Sequence, residues 1–505
     1  MAVTDSPVTS SPPHGVPEVA LLSKIFSFPN MCLVLLAGVI LLYAVRGIAE
    51  SDIWWHLRNG SEIVIHHKIP SVDTYSWGAV GSPWLDHEWL SEIIYYLGFR
   101  AFGLRGILAT YALVLVLIYV GVYYRCCHAG ADRKDAIIAT LGAICLGGVS
   151  FAPRTLLFGW LCMTALLVVL DNFEENKKVV WLLPPLFCLW INLHGSWIFG
   201  IVVLGAAIVS GLFVGEWGLV VTKRWTSSQL QTLLFVFATS VVALFFNPFG
   251  YKLVLYPFDL GLRQQSVLKY LDEWQPVDFG SWNGKLALAL IFGILAAALF
   301  SRRRWRLDAV LLTSFALWSA LAHVRFLFFA GLVVVPVLAP YVDLLGPYDR
   351  RKDRHLLNAL LICLIVGGMI VFFPSEASLR RTVDAEYPKE ALAFMQQHGI
   401  TERVFNQYRF GGYMVWHAPR IKPFIDGRAD IFVYNGVFND FIRATSLRNT
   451  FEILDKYSVR YVLYEPEQPL TYLLQHSNSW RQIYSDKVAV IFEREPGGYG
   501  GVTGQ

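Results

Sequence analysis

The chain has 505 residues, of which 55% are apolar and 16% charged, against roughly 25% charged residues in an ordinary soluble domain. Such a composition excludes a soluble cytosolic enzyme, a disordered chain and a disulfide-knit secreted protein. The net charge of +4 is too small to imply nucleic acid as a partner, and the basic residues lie in short clusters between apolar runs.

Residues 1–28 are rich in Pro, Ser and Val and carry no basic region beyond Lys24. They read as a flexible cytoplasmic tail leading into an uncleaved first membrane helix, not as a signal peptide. A hydrocarbon core takes about 20 residues of apolar helix. By that measure the sequence predicts eleven spans within 29–375, near 29–47, 104–124, 136–151, 156–170, 179–193, 198–215, 230–246, 285–300, 307–322, 327–344 and 356–373. Pro184-Pro185 predicts a kink in the fifth. With the N-terminus inside, the inner loops hold 15 Lys and Arg in 49 residues and the outer segments 11 in 115. This is the asymmetry expected of a multi-pass protein of the cytoplasmic membrane. An odd number of spans puts a long outer loop, 48–103, and the C-terminal region on the extracytoplasmic side.

Residues 376–495 change character. Strand-like runs occur at 404–405, 413–416, 423–425, 461–464 and 488–492, with helix-like stretches at 387–398, 437–457 and 469–477. They predict an extracytoplasmic α/β domain, followed by a disordered, Gly-rich tail at 496–505. The seven cysteines, Cys32, Cys126, Cys127, Cys145, Cys162, Cys188 and Cys363, fall in apolar runs or one short loop. Neither a disulfide framework nor zinc spacing results.

Sorting polar residues by side is informative. The inner loops carry little but charge clusters. The outer span ends carry Glu50, Asp52, His56, Asp86, His87, Glu88, Arg154, Asn192, His194, His323 and Arg325. Ionisable groups at membrane depth are costly and are candidates for function. Asp52 and His56 share a face if 51–59 is helical, with Ile53, Trp54 and Leu57 forming the apolar face of a helix on the membrane surface. Asp52 could instead cap that helix, and Asp86 could cap the one starting at Trp89. Asp86, His87 and Glu88 also suit a metal. Arg154 and Arg325 could snorkel to headgroups or clamp a phosphate. His194 and His323 each read alone as satisfied interior histidines. Asp426-Gly427 reads first as a tight turn, and Asp426, Arg428 and Asp430 as a polar patch facing the membrane site second.

An acidic pair directly after the first span, a long outer loop, many further spans and an external α/β domain together resemble the GT-C-type membrane glycosyltransferases. The phrases Asp52-Ile53-Trp54-Trp55-His56-Leu57, Asp86-His87-Glu88-Trp89-Leu90, Phe410-Gly411-Gly412-Tyr413 and Ile425-Asp426-Gly427-Arg428-Ala429-Asp430 are similar to bacterial multi-pass proteins related to the protein mannosyltransferases and lipid A sugar transferases. The resemblance implies a cell-envelope enzyme that takes a sugar from a polyprenyl-phosphate donor in the bilayer and transfers it to an acceptor hydroxyl of a glycan, lipid or protein. It implies Asp52, with Glu50, as the catalytic carboxylates. Some members of the family use a divalent metal and some do not. Stabilisation of the departing phosphate by Arg154 and Arg325 follows from side and charge. Two other readings remain open: a transporter or flippase of a lipid-linked or anionic substrate, and a non-catalytic envelope assembly protein.

Overall fold

The computed structural model describes residues 24–263, 269–270 and 272–496. The predicted tails therefore lie outside the described residues from 1 to 23 and from 497 onward.

The chain runs through α1 (Phe28–Ala44), α2 (Ile53–His66), α3 (Trp89–Phe102), α4 (Leu104–His128), α5 (Arg133–Gly147), α6 (Leu156–Asp171), α7 (Leu183–Leu193), α8 (Trp197–Ser210), α9 (Ser227–Ala243), α10 (Tyr251–Arg263), α11 (Trp282–Phe300), α12 (Leu307–Ala322), α13 (Leu327–Leu338) and α14 (His355–Val371). Each of the eleven apolar runs coincides with one of these helices. Among the described residues, three helical stretches are long and apolar enough to cross a membrane, Leu104–His128, Trp282–Phe300 and Val324–Tyr341. A fourth qualifies if α14 and the following helix, bent by 59°, count as one broken span. Leu113, Phe235, Phe292 and Leu364 are exposed on the bundle, a surface of the kind that a bilayer covers.

Local chemistry sets the helix limits. Asp132 caps α5, and a Thr226/Gln229 capping box starts α9. Pro184 and Pro185 fall where the run changes from one helix type to another. The run there begins as a 3-10 turn, and α7 starts with both prolines in its first turn, where a missing N–H is harmless. The run predicted to continue to 215 ends at Ser210. Beyond it, β1 (Gly215–Trp217) and β2 (Val220–Thr222) pair antiparallel, and β3 (Trp305–Arg306) joins β2 in parallel.

The C-terminal region holds α15 (Glu376–Asp384), α16 (Lys389–Gln397), β4 (Val404–Asn406), α17 (Tyr408–His417), α18 (Ala429–Tyr434), α19 (Val437–Thr445), α20 (Thr450–Lys456), β5 (Tyr461–Tyr464), α21 (Pro469–Gln475), β6 (Trp480–Ser485) and β7 (Val490–Arg494). Its sheet has the order β4-β5-β7-β6, with β4 and β5 parallel and the other pairs antiparallel. Three expectations need correction. Residues 413–416 are helical, within α17, and 423–425 pass through without strand pairing. The single helix expected at 437–457 is two, broken where Leu447 and Asn449 take positive φ.

This region is bound tightly to the rest. One apolar core continues from the bundle into it through Leu379, Tyr387, Phe410 and Tyr413, while Trp55, Tyr75 and Trp84 of the outer loop join its second core. Ile53, Trp54 and Leu57 are buried. The apolar face of α2 is thus covered by protein and not by membrane, with the Trp54 ring edge-on to Tyr387 and Tyr413. Trp77 donates to the carbonyls of Pro423 and Val404, at 3.0 Å each. A buried ion triad completes the joint. Arg428 forks onto Asp426 at 2.9 and 2.6 Å, reaches Asp73 at 2.8 Å and lies over the Tyr75 and Trp84 rings.

Removing one member of such a buried set strands the remaining charges, at a cost of about 3–5 kcal/mol. Arg428→Leu should therefore lower the thermal unfolding midpoint markedly, followed by tryptophan fluorescence in detergent. An unchanged midpoint would mean that the triad does not hold the C-terminal region in place.

Candidate active site

The 3-10 turn Val45–Gly47 carries the chain out of α1. It passes so close to the 148–154 loop that a side chain at Gly47 would meet the Phe151 carbonyl at 2.1 Å. Only glycine permits this approach, and it brings Glu50 to Arg154. Glu50 accepts from Arg154 Nη2 at 3.2 Å and lies within ion-pair distance, 3.1 Å, of its Nε. Arg154 Nη1 also bonds Glu273, and Glu273 in turn forms an ion pair with Arg325 Nη1 at 2.9 Å. Arg325 stacks over Trp274, 4.5 Å from its ring centroid. Two arginines and two carboxylates thus alternate along one wall.

Asp52 stands beside this chain of pairs and outside it. Its carboxylate accepts from Trp55 Nε1 at 3.4 Å and from Ser51 Oγ at 3.5 Å. Among the described residues it has no ion-pair partner. It occupies the N-cap position of α2, yet its side chain makes no capping hydrogen bond, so the helix does not account for it. Burial, then the nearby Glu50 charge, push its pKa up to about 7, against the pull of Arg154 and His56.

A second cluster lies deeper. His56 Nδ1 contacts Glu92 at 2.9 Å, and Asn59 donates to both Asp86 (2.7 Å) and Glu92 (2.5 Å). Burial raises the pKa of both carboxyls well above the ordinary range. Glu88 is ringed by His194 at 3.3 Å, His87 at 3.5 Å and His56 at 3.8 Å. His194 Nδ1 accepts from the Ser196 N–H at 3.0 Å, which leaves its proton on Nε2, facing Glu88. Among the described residues no group of three or more His, Cys, Asp or Glu side chains is arranged to hold a metal ion.

Most of these groups line one cavity of about 620 Å³, with Asn59 and Glu92 behind its wall. Glu50, Asp52, His56, Asp86, His87, Glu88, Arg154, His194 and Arg325, from five separate stretches of sequence, all line it. Asn192 and His323 do not. Asn192 ties α7 to its neighbours, donating to the Cys188 and Phe246 carbonyls and accepting from Trp89 Nε1. His323 Nδ1 sits 2.6 Å from the Trp274 carbonyl and so holds the turn that carries Glu273.

Sequence reasoning missed the Asp272-Glu273-Trp274 turn, which lines the same wall. Its signal was present: acidic residues followed by Trp in an outer segment, as in Asp86-His87-Glu88-Trp89. The C-terminal region supplies the remaining wall through Tyr408, Gly427, Arg428 and Asp430. Asp426-Gly427 is more than a turn, since Asp426 is a buried partner of Arg428. Asp430 accepts from the Tyr256 hydroxyl at 3.4 Å. Burial raises its pKa to about 6, with His87 and Arg428 limiting the rise.

No protein-family model and no curated protein sequence matches the chain. Solved structures do. The oligosaccharyltransferase of Archaeoglobus fulgidus tethered to an acceptor peptide is 13% identical, over 92% of this chain and 74% of that one, with a TM-score of 0.52. The chain shares its fold. The same organism's oligosaccharyltransferase AglB, in complex with an inhibitory peptide and a dolichol-phosphate, is 12% identical over 86% and 69%, with a TM-score of 0.50. This agrees with the GT-C-type resemblance of the sequence. ArnT from Cupriavidus metallidurans, bound to undecaprenyl phosphate, aligns over 96% of this chain and 99% of that one, at 12% identity and a TM-score of 0.47.

Gly427 permits the closest approach in the site. A Cβ there would stand 1.9 Å from Asp52 Oδ1 and 2.8 Å from Trp55 Nε1. Gly427→Ala should destabilise the protein by about 1–3 kcal/mol, and Asp52→Ala should relieve most of that loss. A double-mutant cycle on thermal stability measures the relief. Strict additivity would place the two residues out of contact.

Proposed function

We propose that the chain is a membrane glycosyltransferase that moves a sugar from a polyprenyl-phosphate donor to an acceptor hydroxyl. The observation that carries this reading is the pairing pattern in the cavity. One carboxylate, Asp52, with a pKa near 7, is left without a cation beside two arginines held side by side through Glu273. Inverting transfer needs a base for the acceptor and a cationic seat for the departing phosphate. The fold shared with an oligosaccharyltransferase whose structure contains a dolichol-phosphate supports a lipid-phosphate donor.

In this mechanism Asp52 takes the proton from the acceptor hydroxyl as its oxygen attacks the anomeric carbon. The bond from that carbon to the phosphate oxygen breaks, and the charge left on the lipid phosphate is received by Arg154 and Arg325. Glu50 acts through Arg154, holding the guanidinium in place. Glu273 occupies the arginine pair until a phosphate replaces it. The proposal includes eleven membrane crossings, a cytoplasmic N-terminus, residues 376–495 as an extracytoplasmic domain, and a site at the outer face of the cytoplasmic membrane. The charge asymmetry of the loops supports this orientation.

Asp52→Asn should abolish sugar transfer while leaving donor binding intact. A base works only when ionised. In the wild type, kcat/KM should therefore fall about tenfold per pH unit below pH 7, the pKa of Asp52. Full activity in Asp52→Asn, or a rate independent of pH between 5 and 8, would remove the base assignment.

Glu273→Gln should tighten binding of a polyprenyl-phosphate sugar by about tenfold, about 1.4 kcal/mol, because a neutral amide competes poorly for two guanidinium groups. Arg325→Ala should weaken it. Binding titrations of the purified variants provide the check, and weaker binding in Glu273→Gln would show that the carboxylate helps the donor instead of competing with it.

A further inference from the structure

At the opposite end of the bundle lies a second cavity, of about 360 Å³. The two are separated by the length of α6. Arg154 and Thr155 precede that helix at the first cavity, while Asp171 and Glu174 close it at the second. Sixteen residues of helix span roughly 24 Å. The second cavity therefore lies at the other end of α6 from the candidate active site.

Its floor is apolar, formed by side chains such as Leu167, Leu233, Leu312 and Val337, and its rim is basic. The small sheet explains how the rim is assembled. Pairing of β3 with β2 draws the Arg302-Arg303-Arg304-Trp305-Arg306 segment over the ends of α4 and α6. Most of these charges are already matched. Arg125 bonds Asp171 at 2.6 Å and the Leu332 carbonyl at 2.7 Å. Arg306 forks between Glu174 (2.5 Å) and Asp308 (2.8 Å), and Arg304 meets Glu216 at 2.5 Å. Arg303 differs. It is exposed, and among the described residues its hydrogen-bond partner is the Pro340 carbonyl, at 3.1 Å, with no carboxylate within ion-pair distance.

The second observation is a buried donor. Trp305 lines the cavity and is only 8% exposed, stacked on Tyr341, and its indole N–H has no hydrogen-bond partner among the described residues. A buried donor without an acceptor costs about 1–3 kcal/mol. A ligand oxygen at this spot would remove that cost. A cation with no carboxylate partner, an unmet N–H and an apolar floor, lining the same cavity, match one kind of molecule: a phosphate attached to a hydrocarbon chain.

We propose that this cavity binds an anionic phospholipid. Arg303 and the Trp305 N–H hold the phosphate, and an acyl chain lies along the apolar floor. Anionic lipids are enriched where basic loops meet the cytoplasmic leaflet, and the loops at this end are the basic ones. No chemistry is involved, and the proposal does not depend on the sugar-transfer reading.

The test is isothermal titration of the purified full-length chain, in a zwitterionic detergent, with dioctanoyl phosphatidylglycerol, dioctanoyl phosphatidylcholine and inorganic phosphate. Phosphatidylglycerol should bind, and phosphatidylcholine at least tenfold more weakly. Arg303→Gln should reduce phosphatidylglycerol affinity about tenfold, Trp305→Phe severalfold, and Arg325→Ala not at all. Equal affinity for the two lipids would overturn the proposal, as would inorganic phosphate binding as tightly as phosphatidylglycerol. Loss of binding in Arg325→Ala would also overturn it, by placing the lipid in the other cavity. Should Arg303→Gln fail to fold, Trp305→Phe, which keeps the ring and its stacking, carries the test alone, and unchanged affinity there counts against the site.

Discussion

Charges taken out of water must be paired, and the wall of the larger cavity is organised by that requirement. Glu50, Arg154, Glu273 and Arg325 alternate in sign, and each guanidinium has a carboxylate. Four segments distant in sequence are held together by this alternation: the exit of α1, the loop before α6, the turn at 272–274 and the turn at 324–326. The positions of the other groups follow from it. Arg325 can lie over Trp274 because Glu273 fixes its end, and His323 holds the backbone of the same turn. Asp52 is excluded from the pairing although it is two residues from Glu50. Burial and its acidic neighbour raise its pKa to about 7, where a carboxylate has its greatest use as a base at neutral pH.

The C-terminal region helps to create that environment. Gly427 closes against the Asp52 carboxylate, and Tyr408 and Asp430 line the remaining wall. Removing water from this side lowers the local dielectric, which raises the cost of ionising Asp52 and strengthens the arginine pairs. The buried Arg428 triad and the Trp77 hydrogen bonds keep this wall in place. The region that folds around its own sheet is therefore also part of the cavity, and the apolar core that continues through Tyr387 and Tyr413 reflects the same union.

The bundle was legible in the sequence because an apolar helix in lipid needs little beyond length and hydropathy. Every one of the eleven runs coincides with a helix. The C-terminal region was harder. Tyr413-Met414-Val415-Trp416 has the aromatic and β-branched content of a strand, yet it is helical because α17 packs on α2, with Tyr413 against Trp54. Strand propensity chiefly measures fit to a half-buried pleated surface, and these side chains meet a helix instead. Nine of the eleven candidate polar residues line one cavity, since sorting by membrane side is a geometric filter that requires no tertiary information. Pairing is not visible by that filter. From sequence, Arg154 and Arg325 could snorkel or clamp a phosphate, and nothing local shows that Glu273, over a hundred residues from Arg154, lies between them.

The two carboxylates on Arg154 are not equivalent, and the difference bears on how a phosphate would enter. Glu50 is 12% exposed, and its backbone is confined between α1 and α2 by the close approach at Gly47. Glu273 is 30% exposed and rides on a three-residue 3-10 turn, Asp272–Trp274, outside any packed helix. Displacing Glu50 would require the end of a packed helix to move, whereas displacing Glu273 requires only a short turn to yield. Glu273 also contacts both arginines, so its departure frees the adjoining guanidinium groups together, while Glu50 remains to orient Arg154. In the proposed reaction the more exposed carboxylate therefore keeps the arginine pair in register before the donor arrives. The more buried one keeps Arg154 in position while the phosphate is bound.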